Sequence, residues 1–250
     1  MSGHSKWSTI KRKKGAADAK RGKLFSKLAR AIIVATKEGG ADPSANLALQ
    51  NAVEKARQNS MPKENIERAI ARASGEGEGA ATFEVVTYEG YGPGGIAVLV
   101  EALTDNRNRT AAEVRHIFSK HEGNLGASGA VAWQFDRKAI VLVSGTSTSE
   151  DEVLLAAADG GAEDVVSDGT TFQVTAAPPD MAGVRSALEK AGMTIEAAEY
   201  TMVPTNTVNV EDSSAAARIL RLMDALEDNE DVQDAYSNFD IPEYVMEAAL

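Results

Sequence analysis

Lys6, Lys11, Arg12, Lys13, Lys14, Lys20, Arg21, Lys23, Lys27 and Arg30 place ten basic side chains in the first thirty residues. Packing explains such density poorly, because like charges repel. Against a polyanion the same charges displace counterions, which gives high affinity that falls steeply with salt. Trp7, set between Lys6 and Lys11, adds a flat face on which a base can stack. A solvated tail that aids solubility is the plainer alternative, but sustained and sign-segregated charge favours nucleic acid. Arg68 and Arg72 lie four apart on a predicted helix, where they repel each other and extend the same surface. A second candidate is the segment Thr104-Asp105-Asn106-Arg107-Asn108-Arg109-Thr110, placed between a strand and a helix start. Free amides at a helix N-terminus, with Arg107 and Arg109 beside them, suit a phosphate or RNA. A polar loop whose Asp and Asn satisfy turn amides fits the same residues.

Other chemistries find no set of residues. Cysteine is absent, which excludes disulfides, zinc–thiolate sites and thiol catalysis. His4, His116 and His121 make no metal site, the last two being five apart and off the shared face of a helix. The glycine loop Gly90 to Gly95 lacks the Lys-Ser/Thr of a P-loop and precedes a strand, so it reads as a hairpin connection. The acidic runs Glu150-Asp151-Glu152 and Glu227-Asp228-Asn229-Glu230-Asp231 read as solvated helix ends without calcium-loop spacing. No nucleophile–base constellation emerges. The expectation is therefore no catalytic residue, no metal and no cofactor, with a nucleic-acid-processing enzyme as a minor alternative.

The elements that must position these residues change character along the chain. Leu24, Leu28, Ala31, Ile32 and Ala35 predict one helix that ends at Gly39-Gly40; Lys27, Arg30 and Lys37 lie on its other side. Asp42-Pro43 predicts the start of a second helix, and Ser60-Met61-Pro62 leads into a third with Ile66, Ala69, Ile70 and Ala73 inward. Gly75 to Ala80 reads as a linker. Strands are expected over 82–89 and 96–103, the second central, then a helix opened by a capping box at Thr110-Glu113, and a strand on which Val131, Trp133 and Phe135 alternate. Residues 139–203 then read strand, helix, strand, strand, helix, strand, the βαββαβ order of a ferredoxin-like unit. A helix carrying Ala216, Ile219, Leu220, Met223 and Leu226 and a strand near 232–238 close the chain.

The fold class expected is α+β and multidomain: a three-helix domain followed by two α/β domains, at least one ferredoxin-like. The boundaries expected are 1–79 for the basic helical domain, 80–136 with 204–250 for a discontinuous middle domain, and 137–203 for an inserted ferredoxin-like domain. Charge follows that division. Residues 1–80 carry 16 Lys and Arg against 8 Asp and Glu, and the rest carries 10 against 29, so the net charge of −11 averages a cationic head and an acidic body. No apolar run predicts a membrane span or a secretory signal, and a cytoplasmic protein is expected.

Several blocks resemble the YebC/PmpR family, end to end and in order. They are Gly3-His4-Ser5-Lys6-Trp7, Ile10-Lys11, Asp18 to Lys23 with Phe25, Tyr88 to Gly95, Asp105 to Thr110, Glu113 to His116, Gly123 to Gly126, Gly161 to Asp164 and Leu226 to Asp228. Ala31 departs from the acid that relatives usually carry after Arg30. The resemblance implies three domains, a bacterial cytosolic protein and a DNA-binding transcriptional regulator without catalytic residues. Other relatives, including mitochondrial translational activators, look like ribosome-associated factors that help synthesis past stretches such as consecutive prolines. A nucleic acid is therefore the expected partner, either DNA or ribosomal or transfer RNA, with the ribosome as the alternative. Charge alone does not choose between them, nor does it give the oligomeric state.

Overall fold

The computed structural model describes residues 18–74, 83–145, 148–167 and 169–249. Lys6, Trp7, Lys11, Arg12, Lys13 and Lys14 lie outside the described residues, as do the Gly75–Gly79 linker and Asp168. The fold is α+β, with a helical N-terminal region followed by α/β structure, and it divides into two compact units. One holds the described residues up to Val131 together with Glu211–Ser237 and the residues from Glu243 onward. The other holds Ala132–Val210 and Asn238–Pro242.

In the first unit, α1 (Asp18–Gly39), α2 (Leu47–Gln58) and α3 (Lys63–Ala73) share a core of Leu28, Ile32, Leu49, Val53, Ala56 and Ile66. Three short helices with one apolar stripe each can bury it only against one another. The start of α2 differs from the sequence reading. Asp42 instead accepts hydrogen bonds from the Ser44 amide and hydroxyl, forming a local turn. Asn46 caps α2, accepting from the Leu49 amide at 3.1 Å while its own amide group donates to the Ala35 and Gly40 carbonyls. Between α2 and α3 the chain reverses through Ser60, whose φ of 59° is a left-handed conformation.

The same unit contains β1 (Glu84–Tyr91), β2 (Ala97–Thr104), α4 (Arg107–Lys120) and β3 (Asn124–Leu125). Later in the chain come its α7 (Ser213–Glu227), β9 (Val232–Ser237) and α8 (Glu243–Ala249). The sheet order is β3-β1-β2-β9, all pairs antiparallel. β2 is central and buried along almost its whole length, as its nearly continuous apolar run, interrupted by the half-buried Glu101, requires. Helix α8, whose Val245 and Met246 are buried, was not expected from the sequence. The capping box at Thr110 is also corrected. Asn106 caps α4, accepting from the Arg109 amide at 3.1 Å, and Thr110 sits fully buried inside the first turn.

The second unit is β4 (Phe135–Ser144), α5 (Glu150–Asp159), β5 (Ala162–Ser167), β6 (Thr171–Ala176), α6 (Met181–Lys190) and β7 (Ile195–Pro204). Its antiparallel order, β5-β6-β4-β7, is that of a ferredoxin-like βαββαβ unit. Two short parallel strands, β8 (Val208–Asn209) and β10 (Phe239–Asp240), pair beside it. Val141, Val143, Val174, Val184 and Leu188 form the core between sheet and helices. Gly160 lets α5 and α6 approach closely, since a Cβ there would lie 2.6 Å from the Val184 Cα. The strand expected through Val131, Trp133 and Phe135 is a short 3-10 turn over Ala132–Gln134 that runs into β4. It leaves Trp133 71% exposed between buried Val131 and Phe135.

Candidate nucleic-acid interface

The described basic residues of the predicted surface divide by what surrounds them. Lys20 and Arg21 lie on the first turn of α1. Lys23, Lys27 and Arg30 line the edge of α1 that faces the C-terminal end of α7. Lys23 Nζ donates to the Asp228 carbonyl at 3.3 Å, Lys27 Nζ to the Glu227 carbonyl, and Arg30 Nη1 to the Glu230 carbonyl at 2.6 Å. The last carbonyls of a helix have no partner inside it and carry the negative end of its dipole, so Lys23 and Lys27 settle there, while the Glu230 carbonyl belongs to the turn beyond α7.

Asp231 follows directly, and here the reading of a solvated acidic run is corrected: the residue is 3% exposed. Its Oδ1 accepts from Arg30 Nη1 at 2.8 Å. Its Oδ2 accepts from Arg109 Nη2 at 2.8 Å and from the Thr110 hydroxyl at 2.7 Å. The Thr110 hydroxyl also lies 2.7 Å from that of Thr104, at the end of β2. Burial would push the Asp231 carboxyl up. Hydrogen bonds from Arg109 and Thr110, with the charges of Arg109 and Arg30, outweigh it and hold the group below the usual carboxylate range. Arg109 is correspondingly held in its charged form by Asp231 and Asp105. The Arg30 guanidinium also lies over the Phe83 ring, 5.6 Å from its centroid.

Arg107 extends outward on α4, 65% exposed, with Glu84 at 3.7 Å. Arg68 and Arg72 are exposed on α3, where Lys63 pairs with Glu67 at 3.5 Å. The structure thus brings Arg30 and Arg109 together on one carboxylate, while Arg68, Arg72 and Arg107 point outward from other elements. Sequence reading missed Asp231, and it gave Thr104 and Thr110, the ends of the candidate segment 104–110, no part in holding it. Their only sequence signal is position, at a strand start, a strand end and a helix start, and that does not separate a buried hub from solvated turns.

A second carboxylate is similarly enclosed. Glu89 on β1 accepts from the Gly129 amide at 2.7 Å through Oε1 and from the Val131 amide at 2.8 Å through Oε2. Its own carbonyl accepts from the Gly126 amide, so the loop 126–131 is tied to β1 at three points. An open groove of about 760 Å³ between α5 and α6 has, among the described residues, Lys190 as the one cation in its lining, beside Glu152 and Asp159. Among the described residues no group of three or more His, Asp and Glu is placed to hold a metal ion, and no helix is long and apolar enough to cross a membrane.

Known proteins match along nearly the whole chain. The model of the TACO1/YebC protein N-terminal domain matches residues 5–76, and that of the TACO1/YebC second and third domain matches residues 83–239. A probable transcriptional regulatory protein of Rubrobacter xylanophilus is 58% identical over 246 residues, 98% of each chain. A protein of the same description from Halothermothrix orenii is 53% identical over 249 residues, 99% of this chain and 98% of its own. The crystal structure of a conserved hypothetical protein from Aquifex aeolicus superposes with a TM-score of 0.80 at 50% identity, covering 90% of this chain and 93% of the other. Two matching domain models and relatives of more than half identity over full length place this chain in the TACO1/YebC family.

Proposed function

We propose that this protein is a non-enzymatic, DNA-binding regulator of transcription that grips phosphates through its basic N-terminal helical region. The observation that carries the reading is charge segregation: residues 1–80 are strongly cationic on a chain whose remainder is strongly acidic. In this reading Lys6, Trp7, Lys11 to Lys14, Lys20 and Arg21 make the principal contacts, Arg68, Arg72 and Arg107 extend them, and Lys23, Lys27, Arg30 and Arg109 fix the frame. The three-domain division expected from the sequence belongs to the same reading, with the acidic domains supplying shape and protein contacts. Relatives carrying the description of transcriptional regulatory proteins support it.

A second reading, a ribosome-associated translation factor on ribosomal or transfer RNA, draws on one feature of α3. Its outward face mixes Arg68 and Arg72 with Glu64 and Glu67, which lacks the run of base-reading side chains of a major-groove recognition helix. Cross-linking in cells followed by sequencing of the bound nucleic acid separates the two. Promoter DNA upholds the transcriptional reading, and recovery of mainly ribosomal RNA replaces it with the translational one. Replacing Lys11, Arg12, Lys13 and Lys14 together by Ala is expected to weaken binding and flatten its salt dependence by about three to four in the log–log slope. Unchanged binding refutes the placement of the surface.

A further inference from the structure

We propose that Asp231 is the positioning residue that seats basic helix α1 on the acidic part of its unit, so that the cations of α1, α3 and α4 meet a polyanion on one fixed frame. The inference rests on the nucleic-acid reading above and adds to it the residue that sets the geometry of the surface.

Three segments converge on this one carboxylate. Arg30 arrives from α1, Arg109 and Thr110 arrive from α4, and Asp231 itself opens β9, its carbonyl accepting from the Leu103 amide of β2 at 2.7 Å. Arg30 makes two further contacts that orient it, the Glu230 carbonyl and the Phe83 ring, and Lys23 and Lys27 extend the seat along the end of α7. Lys55 on α2 adds an outer tie to Asp234 on β9 at 3.5 Å. A masked state, in which acidic groups occupy the head until a phosphate displaces them, would make the same pairs. The burial argues for an anchor. The Asp231 side chain is 5% exposed and that of Arg30 19%, so a phosphate that captured Arg30 would strip a buried carboxylate of a partner, which is strongly unfavourable.

The full-length chain, titrated with a fluorescein-labelled DNA duplex and with an RNA hairpin over a range of salt, tests the proposal. Asp231→Asn is expected to bind about tenfold more weakly with an unchanged salt slope, because the phosphate-contacting cations remain and only their common frame loosens. Arg30→Ala is expected to behave in the same way. Arg30→Lys, which keeps the charge facing Asp231, is expected to recover most of the wild-type affinity. Hydrogen exchange supplies an independent reading: in Asp231→Asn and Arg30→Ala the amides of α1 lose protection while those of α5 and α6 keep theirs. Unchanged affinity in Asp231→Asn overturns the proposal. So does tighter binding, which would mean masking, or a slope reduced by about one in Arg30→Ala, which would mean direct phosphate contact. Wild-type protein that binds neither probe overturns the nucleic-acid reading instead, and exchange in α1 still decides whether Asp231 seats the helix.

Discussion

The βαββαβ unit and the unit built around Asp231 treat buried polar groups differently. Among the described residues, the buried polar positions of the former, Gln134, Thr171, Gln173 and Asn238, are all neutral, and its core is aliphatic with Phe172. The latter, among the described residues, buries two carboxylates, Glu89 and Asp231, each with both oxygens engaged. An aliphatic core forms wherever apolar periodicity brings side chains together and tolerates exchanges of similar volume. A buried carboxylate needs its donors at fixed places, and losing one leaves an uncompensated charge. The first arrangement stabilises a unit; the second also fixes which elements face each other, here a basic helix, the α4 start and a sheet edge.

Substitutions can break this contrast, beginning with the largest effect. Leu188→Ala, in the aliphatic core between α6 and the sheet, is expected to cost about 3 kcal/mol. The loss, read from urea unfolding of that unit, should be the same at neutral and acidic pH because no ionisable group is involved. A strongly pH-dependent loss would show that this core is not purely apolar in its energetics.

Asp231→Asn is expected to cost somewhat less, about 2 kcal/mol at neutral pH, since one charge-assisted acceptor is lost while the shape is kept. Here pH decides. The carboxyl is held below its ordinary value in the folded chain, so its contribution is complete above the unfolded pKa of about 4. It is lost as pH falls through the lower folded value. Wild type and variant should therefore converge in acid, and a constant gap down to strongly acidic pH would remove Asp231 from the role given to it.

The smallest effect belongs to a pair with equally short geometry but open surroundings. Lys138 and Glu163 meet at 2.7 Å on the surface of the βαββαβ unit, their side chains 25% and 42% exposed. Glu163→Gln is expected to change stability by no more than about 0.5 kcal/mol, and less in high salt. A loss as large as that of Asp231→Asn would mean that distance rather than burial sets the value of these pairs.

Much of the element plan is readable in the residues. The strand–helix alternation of 139–203, the central place of the strand expected over 96–103 and the three apolar helix stripes all follow from periodicity, because a period of 2 or 3.6 needs no partner to be recognised. Local competition caused the misreadings. Asp42 took up its own turn and left the cap to Asn46, and Asn106 capped α4 four residues before Thr110. Trp133 fell into the apolar alternation of its neighbours, yet a short 3-10 turn carries it outward.

The candidate surface divides along the same line. The sequence by itself determined that the basic charge is concentrated in the head and that the remainder is acidic, because charge count survives any arrangement of the chain. Only the tertiary structure decided which cations are committed inside the molecule. Lys23, Lys27 and Arg30 meet groups some 200 residues away along the chain. Asp231, one acid among five charged or polar residues in a row, becomes the buried partner because β9 starts there and carries it beside β2 and α4. Burial and pairing depend on what long-range folding brings together, and no local pattern in the chain encodes that distance.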